Sequence, residues 1–215
     1  MGARAAGAGV SAMDPPVPAP RTARPAEALV ARYLAVFPGE RAALAPLLAQ
    51  LALPEPPDDR GTLPGHLTAA ALVLHPVRPD LLLVRHRALQ RWLQPGGHLE
   101  RGELPLVAAR REAEEETGAR GLGALDWHAD GPDPARALPL DIDVHPIPAR
   151  PERGEPAHLH LDFRYAFRLL DAGALARQVE EVDDLRWHAL ADLAARDLVP
   201  GLTRAARKLL GVLHA

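Results

Sequence analysis

Cysteine is absent from the sequence, so disulfides, thiolate nucleophiles and cysteine-ligated zinc are excluded, and a cytoplasmic location is the expectation. Aromatic residues make up only 4% of the chain, which leaves few side chains that could stack on a nucleobase. Arginine supplies almost all of the basic charge, since Lys208 is the one lysine. No apolar run approaches the roughly 18 residues that cross a bilayer, so no membrane association is expected.

The remaining composition is that of an ordinary globular protein. Hydrophobic residues account for 47% of the 215 residues and charged residues for 25%, which suits one domain with an accessory segment. The formal net charge is −3, whereas domains that bind polymeric nucleic acid usually carry a basic excess. Polymeric nucleic acid is therefore not an expected partner. The oligomeric state stays open, with a homodimer as one option.

The chain divides into three parts by composition and periodicity. Residues 1–25 are rich in Ala, Gly and Pro and lack periodicity, which predicts a disordered tail, and Met13 is an alternative start. Residues 26–60 predict a helical hairpin followed by a Pro-rich linker, because apolar residues recur at intervals of three and four up to residue 53. Residues 61–215 form the predicted main domain.

The main domain alternates strand patterns with a few helix patterns. Two buried strands open it, and one strongly helical segment follows from Pro105 to Thr117, with Gly118 placed to end the helix in a left-handed conformation. The later elements are predicted strands at 122–128, 139–145, 158–168 and 182–188 and predicted helices at 189–196 and 202–212. This order indicates an α/β or α+β sandwich with helices outside a mixed sheet.

The helical segment carries an unusual concentration of acidic charge. Glu112, Glu115 and Glu116 fall on one helix face, since residues three and four apart are neighbours there. Two like charges about 4 Å apart repel by about 1 kcal/mol in water and about 4 kcal/mol at an effective dielectric near 20. A solvated acidic face tolerates the lower figure. A face turned into a cleft needs a cation, and hard divalent ions such as Mg²⁺ take carboxylate ligands beside substrate phosphates.

The spacing around these glutamates decides between the two readings. The acidic cluster has four further residues at fixed intervals from it, namely Gly97, Glu103, Arg111 and Gly118. The whole pattern over residues 97–119 resembles the Nudix box position for position. Seven such identities should coincide by chance in about one chain in a million of this length. The preceding WLQPGG is also similar to the family's approach to the box, and the layout resembles the family from about residue 66 to 196.

The resemblance implies a Nudix-type α/β/α sandwich and a chemistry. Family members hydrolyse a nucleoside diphosphate linked to another group, through water attack on phosphorus with Mg²⁺ or Mn²⁺ bound. Carried over to this chain, the resemblance makes Glu112 and Glu116 metal ligands, with the Gly97 carbonyl as a further one. It makes Glu115 a ligand or the base that activates water.

Three further features follow from the same resemblance. Arg111 orients the carboxylates and Glu103 supports the cluster. A second base outside the box is expected before the last strand, where Glu181 is the choice among four acidic residues. Leu104 departs from the Ser or Thr that often caps the helix, a change that costs about 1 kcal/mol in stability.

The substrate is a small-molecule nucleotide of open identity, either ADP-ribose-like or a nucleoside triphosphate. Pro134 resembles the marker of ADP-ribose pyrophosphatases. Trp92 and Arg91, just before the box, and His98 inside it are candidate substrate contacts. The other histidines are expected at the surface, apart from a pair on a predicted hairpin.

That hairpin joins PLDIDVH to HLHLDFRY, and both segments alternate polar and apolar residues. A register that pairs His145 with His158 sets Asp143 opposite His160. It also sets Asp141 opposite Asp162. This ladder of acids and imidazoles, with His158 and His160, then either forms a wet outer face or lines the substrate cleft, where it contacts ribose hydroxyls or holds an extra cation.

Two alternatives to an enzyme remain. One is a Nudix-fold module that binds nucleotides or regulates without catalysis, although such modules usually lose box glutamates. The other is a structural helical protein with an acidic face, which the intact box argues against.

Overall fold

The structure, a computed structural model, describes residues 25–129, 133–171, 175–199 and 201–215. The predicted tail lies outside the described residues except for Pro25, which begins the first helix. Five α-helices are described, namely α1 Pro25–Val36, α2 Ala45–Leu51, α3 Pro105–Thr117, α4 Leu190–Ala195 and α5 Leu202–Leu213. The strands are β1 Gly65–Leu74, β2 Asp80–His86, β3 Arg91–Leu93, β4 Gly96–His98, β5 Leu122–Ala124, β6 Asp141–Ile147, β7 His158–Leu169 and β8 Val182–Ala189. Searched over these same residues, the chain has no helix with the length and hydrophobicity to span a membrane.

All eight strands belong to one mixed sheet with β1 and β7 at its centre. These two strands run parallel over ten residue pairs, from Gly65 opposite Leu159 to Leu74 opposite Arg168. The outer edge of β1 pairs with β4 and with β2, and β2 in turn pairs with β3 and β8. The outer edge of β7 pairs with β5 and β6. The parallel pair is buried on both faces, as expected for strands covered by helices on each side.

The two faces of the sheet pack against different helices. Odd-numbered side chains of β1 and β7, such as Ala69 and Phe163, share one core with α1, α2 and α3. Even-numbered side chains such as Leu72 and Ala166 share a second core with α4 and α5. The predicted sandwich of helices outside a mixed sheet is therefore confirmed. The predicted strand at 122–128 ends earlier, at Ala124, and residues 126–128 form a 3-10 turn.

The two N-terminal helices pack on the main domain. Tyr33 of α1 has no exposed surface, and its hydroxyl receives hydrogen bonds from the backbone N–H of Ile142 at 3.2 Å and from Lys208 at 2.6 Å. Leu47 of α2 is likewise fully buried in the core that α3 shares. The apolar stripe read from the sequence therefore faces the sheet. That residues 26–60 form a unit separate from the main domain stays a prediction.

The register predicted for the β6–β7 hairpin was wrong by two residues. In the structure His145 lies opposite His160, Asp143 opposite Asp162, and Asp141 opposite Arg164. A shift of two residues keeps every side chain on its predicted face, because side chains alternate with a period of two. The strand pattern therefore identifies the faces correctly and leaves the pairing partner undetermined.

A wet outer face is also wrong for the acidic residues of this hairpin. Asp141 has no exposed surface and Asp162 is only 4% exposed. Both bind the guanidinium of Arg164, which also binds Asp143 at 3.0 Å and the Gly201 carbonyl at 2.6 Å. Arg204 of α5 adds a second cation on Asp141 at 2.8 Å. Each buried carboxylate has a cationic partner, which is the condition under which such charges are tolerated.

The box helix α3 begins and ends as the sequence predicted. Pro105 occupies its first position, and Leu104 provides no side-chain cap. Gly118 ends the helix with a φ of 65°, and its N–H donates to the Glu114 carbonyl. A Cβ at Gly118 would lie 2.7 Å from the backbone oxygen of Ala176. Glycine is therefore required here by both the backbone conformation and the close approach of the 175–182 segment.

We expect Gly118→Ala to destabilise the protein by about 1–3 kcal/mol, because alanine resists a positive φ and its methyl group would displace Ala176. Chemical denaturation measures the free energy of unfolding. Gly211→Ala is the matched control, since Gly211 lies in α5 with nothing within 4 Å of an added Cβ. That change should be neutral or stabilise by up to about 1 kcal/mol. Equal effects of the two substitutions would contradict this account.

Candidate active site

Two glycines of β4 bring the sheet and the box helix into direct contact. A Cβ at Gly97 would lie 2.6 Å from the carboxylate of Glu112, and a Cβ at Gly96 would lie 2.6 Å from the Ala69 carbonyl. The backbone N–H of Gly96 donates to Oε2 of Glu116 at 3.1 Å. A side chain at Gly96 would therefore push β4 away from the backbone of β1, and a side chain at Gly97 would displace the Glu112 carboxylate. The Gly-Gly pair also leaves the Gly97 backbone beside the box carboxylates.

The guanidinium of Arg111 forms hydrogen bonds with several of the predicted site residues. Its Nε and one terminal nitrogen bind the two carboxylate oxygens of Glu103 at 3.0 and 2.9 Å. Its other terminal nitrogen binds Glu112 at 2.9 Å and Glu115 at 3.1 Å. A further bond reaches the His98 carbonyl at 3.0 Å. This planar fork holds three carboxylates and the loop after β4 in a fixed relation.

The carboxylates differ in how well their charge is compensated. Burial would raise the pKa of Glu103, but the hydrogen bonds from Arg111 and from the Glu100 amide outweigh it and lower that pKa. Burial raises the pKa of Glu112, although Arg111 opposes the shift. Burial raises the pKa of Glu116 to about 8, and the charges of Glu112, Glu181 and Glu115 act in the same direction. Glu116 is 5% exposed, and among the described residues its carboxylate receives one hydrogen bond, from the Gly96 N–H.

This arrangement fits a hard divalent cation. The donors are carboxylate oxygens with a backbone carbonyl nearby, the ligand type that Mg²⁺ and Mn²⁺ prefer. Among the described residues, Glu116 is buried beside Glu112 without a cationic side chain of its own, so a bound cation would supply the compensation that Arg111 supplies to Glu103. That Glu112, Glu116 and the Gly97 carbonyl are the ligands stays a prediction.

Glu181 lies close enough to influence the box carboxylates. Its charge contributes to the raised pKa values of both Glu112 and Glu116. The segment that carries it is tied to α3, since the backbone N–H of Gln178 donates to the Glu116 carbonyl at 3.0 Å. Asp183, a neighbouring acidic residue, is instead bound by Arg87 at 2.7 Å. The role of Glu181 as a base stays a prediction.

Two of the predicted substrate contacts lie apart from these carboxylates. Trp92 of β3 stacks under the guanidinium of Arg186 at 4.7 Å and meets the His188 ring edge-on. It packs with the core of α4 and α5 rather than with α3. Arg91 is exposed at the start of β3, opposite His86. Their role as substrate contacts stays a prediction.

The other predicted contacts belong to a cluster of imidazoles on the α4–α5 face of the sheet. His98, His158 and His160 surround His66, whose ring centroid lies 5.0, 4.9 and 5.1 Å from theirs. His66 of β1 is 2% exposed, so the expectation of a surface position was wrong for this residue. One sequence signal could have indicated its burial: His66 is separated by an even number of residues from the buried Leu72 and Leu74 of the same strand, so the three side chains share a face. The identity of the partner strand could not be predicted from this spacing.

Three rings of this cluster, those of His66, His98 and His160, are neutral at pH 7. Burial lowers the pKa of His160 to about 2 and that of His98 to about 4, and the neighbouring imidazoles lower both further. Burial also lowers the pKa of His66. The nitrogen lone pairs of these rings are therefore not lost to protons under physiological conditions. His128 is a second histidine that is buried rather than exposed, and it accepts a backbone N–H from Ala166 at 2.8 Å.

A comparison with protein families matches residues 65–209 to the model of the NUDIX domain. The chain belongs to the Nudix family. The match includes every box residue discussed above and extends over both central strands and most of α5. The family resemblance read from the sequence is therefore confirmed, and the Nudix assignment covers the sheet, α3, α4 and the acidic site.

Two curated Nudix-type relatives show partial similarity. A probable DHNTP pyrophosphohydrolase of Lactococcus lactis subsp. cremoris (strain MG1363) is 34% identical over 105 residues, which is 48% of this chain and 54% of that protein. An RNA pyrophosphohydrolase of Mesorhizobium japonicum is 36% identical over 85 residues, 35% of this chain and 46% of that protein. The chain thus spans about half the length of each relative.

A solved structure confirms the fold. The crystal structure of a C. elegans Ap4A hydrolase binary complex matches with a TM-score of 0.52 and 16% sequence identity, and covers 69% of this chain and 97% of that one. At this identity the likeness concerns the fold alone. It supports the mixed sheet and helix layers of the Nudix domain.

The buried Glu116 predicts a pH dependence of stability in metal-stripped protein. Its folded pKa of about 8 lies above its ordinary value of 4.5, so the folded state binds more protons between these pH values. Stability is then fully present below about pH 4.5 and falls as pH rises through about 8, by on the order of a few kcal/mol. Denaturant unfolding across this range, on wild type and Glu116→Gln, isolates the contribution.

The Gln variant should lose this decline, because it carries no charge at any pH. Glu114→Gln is the control, since Glu114 lies exposed on the same helix and its removal should leave the wild-type slope. Identical pH profiles for wild type and Glu116→Gln would show that Glu116 titrates as an ordinary surface group.

Proposed function

We propose that this protein is a divalent-metal-dependent hydrolase of a pyrophosphate bond in a nucleoside diphosphate linked to another group. The observation that carries the proposal is the contact of two carboxylates with the β4 glycines. Glu112 lies against Gly97, and the buried Glu116 accepts the Gly96 N–H and has no cationic partner among the described side chains. Such a site is electrostatically incomplete, and a cation with phosphate oxygens completes it. The family membership and the names of the relatives support the same reaction class.

Each residue of the site has a defined task in this proposal. Glu112 and Glu116 hold Mg²⁺ or Mn²⁺, with the Gly97 carbonyl as a further ligand. The bound cation would neutralise developing charge on phosphate oxygens and lower the pKa of water. Arg111 fixes the direction of the Glu112 carboxylate, and Glu103 fixes Arg111 through its two-pronged bond.

The proton acceptor is Glu115 or Glu181. Glu115 is bound by Arg111 at 3.1 Å, so its carboxylate is already held by a guanidinium. Glu181 is exposed and lies on the segment that contacts the end of α3, so its carboxylate can approach a water molecule above the box. We therefore assign the proton transfer to Glu181 and a positioning or metal-binding role to Glu115.

The substrate proposal is a small nucleotide with a chain of phosphates. The names of the similar proteins include DHNTP, RNA and Ap4A, all of which point to polyphosphate compounds. A panel should therefore contain nucleoside triphosphates, pterin triphosphates, diadenosine polyphosphates, ADP-ribose and an RNA with a 5′-triphosphate. His98, His158 and His160 lie on the opposite face of the sheet from the box carboxylates, so their predicted contact with the substrate is not part of this proposal.

We expect Glu116→Gln to lower turnover on the best panel substrate by at least two orders of magnitude. Glutamine can keep the hydrogen bond from Gly96 but cannot offer a carboxylate to the cation. Initial rates at saturating Mg²⁺ and Mn²⁺, with the melting temperature as a folding check, measure the effect. Glu114→Gln on the exposed side of α3 should keep the wild-type rate. Wild-type turnover in Glu116→Gln would remove the metal assignment, and a chain inactive on the whole panel would favour a binding module.

Glu181→Gln tests the assignment of the base. We expect turnover to fall about 10²–10⁴-fold, the usual contribution of a positioned base, while the affinity for Mn²⁺ changes little. Its exposed neighbour Glu180 provides the matched control, Glu180→Gln, which should retain activity. A loss of Mn²⁺ affinity equal to the loss of turnover would instead make Glu181 a metal ligand.

A further inference from the structure

A second group of potential ligands lies on the sheet face opposite to the box carboxylates. His66 of β1 is directly opposite His160 of the parallel strand β7, and His158 stands two residues earlier on the same face. Adjacent residues of β4 separate the two sites, because Gly97 faces Glu112 on α3 while His98 points to the imidazole side. The imidazoles therefore form a site of their own.

His66 is buried without satisfying either ring nitrogen. It is 2% exposed, and neither Nδ1 nor Nε2 has a hydrogen-bond partner among the described residues. The backbone of Thr62 is near enough to affect the ring's pKa but does not complete a hydrogen bond with it. Buried polar groups without partners are rare and costly, and a bound ion is one of the few explanations for them.

His158 shows the arrangement typical of a metal ligand. Its Nδ1 lies 2.8 Å from the Pro156 carbonyl, which can only accept, so Nδ1 carries the proton and donates. Its Nε2 then keeps a lone pair. A ring nitrogen that donates to a backbone carbonyl while the other binds a metal is the usual outer-shell pattern of histidine ligands.

We propose that His66, His158 and His160 bind one divalent transition-metal ion of the zinc class. One ligand nitrogen from each ring lies within 4.8 Å of the other two. In a tetrahedral zinc site with bonds of about 2.0–2.1 Å the nitrogens lie about 3.3 Å apart, so the rings need to close on the ion by about 1.5 Å at most. Side-chain rotation of the half-exposed His158 and His160 supplies such a movement.

The ligand type sets this site apart from the acidic one. Three imidazole ligands suit Zn²⁺, Co²⁺, Ni²⁺ and Cu²⁺, whereas Mg²⁺ takes oxygen ligands. Three protein ligands leave a fourth position open, toward the side of the sheet on which His158 and His160 are half-exposed. The sequence left two roles open for the β6–β7 hairpin in a cleft, contact with ribose hydroxyls and binding of an extra cation. The unpartnered ring nitrogens of His66 favour the extra cation.

Cobalt and zinc binding to the chelator-treated full chain tests the proposal. Co²⁺ held by imidazoles in four- or five-coordinate geometry absorbs strongly in the visible range, while six-coordinate Co²⁺ on carboxylates and water is pale. We expect one equivalent of Co²⁺ to give the strong spectrum, one equivalent of Zn²⁺ to abolish it, and excess Mg²⁺ to leave it unchanged. The Glu112→Gln/Glu116→Gln double variant should give the same spectrum.

Substitution of the ligands completes the test. His158→Gln and His160→Gln should each weaken Zn²⁺ binding at least tenfold in calorimetry, whereas His214→Gln, at the exposed end of α5, should not. Zn²⁺ should raise the melting temperature of wild type and not of these two variants. Absence of a strong Co²⁺ spectrum, or its loss in the carboxylate double variant with retention in His160→Gln, would overturn the proposal. Neither result bears on the hydrolase proposal, which is tested separately by the turnover of Glu116→Gln.

Discussion

The parallel pairing of β1 with β7 is the contact on which the rest of the structure depends. Ten residue pairs join two segments more than 90 residues apart in the chain, and both faces of the pair are buried. One edge of the pair then receives β4, which holds the box loop against α3. The other edge receives β6, which places Asp141 and Asp143 beside Arg164. The acidic site and the imidazole cluster are thus both consequences of one register.

Two groups of carboxylates in the molecule show opposite treatments of buried negative charge. Around Arg164 every carboxylate has a cation, and Lys208 and Arg204 extend the compensation to Asp141 from α5. That network joins α5, β6 and β7, and its carboxylates need no bound cation to compensate their charge. Around Arg111 one guanidinium binds three glutamates, and Glu116 is not one of them. The incomplete group is the one we assign to chemistry, because only unmatched charge attracts a cation.

Local patterns predicted some parts of the fold and could not predict others. The box helix was foreseen at both ends, since Pro105 and Gly118 act through their own backbone restrictions. The β6–β7 hairpin was predicted with the correct faces and a register two residues away from the observed one, because alternation repeats every two residues and cannot tell neighbouring registers apart. Asp141 looked like a solvent-facing residue of an alternating strand, and only the helix packed over it makes it buried.

By itself the sequence determined the family, the α3 helix and the set of acidic residues around Arg111, because these depend on fixed spacings along one continuous segment. The choice between Glu116 and Glu103 as the uncompensated carboxylate was decided by the tertiary structure, since desolvation and the reach of one guanidinium depend on how β4 meets α3. The gathering of His66 with His158 and His160 was likewise decided only in three dimensions, because a parallel pairing between distant strands leaves no mark in either local pattern.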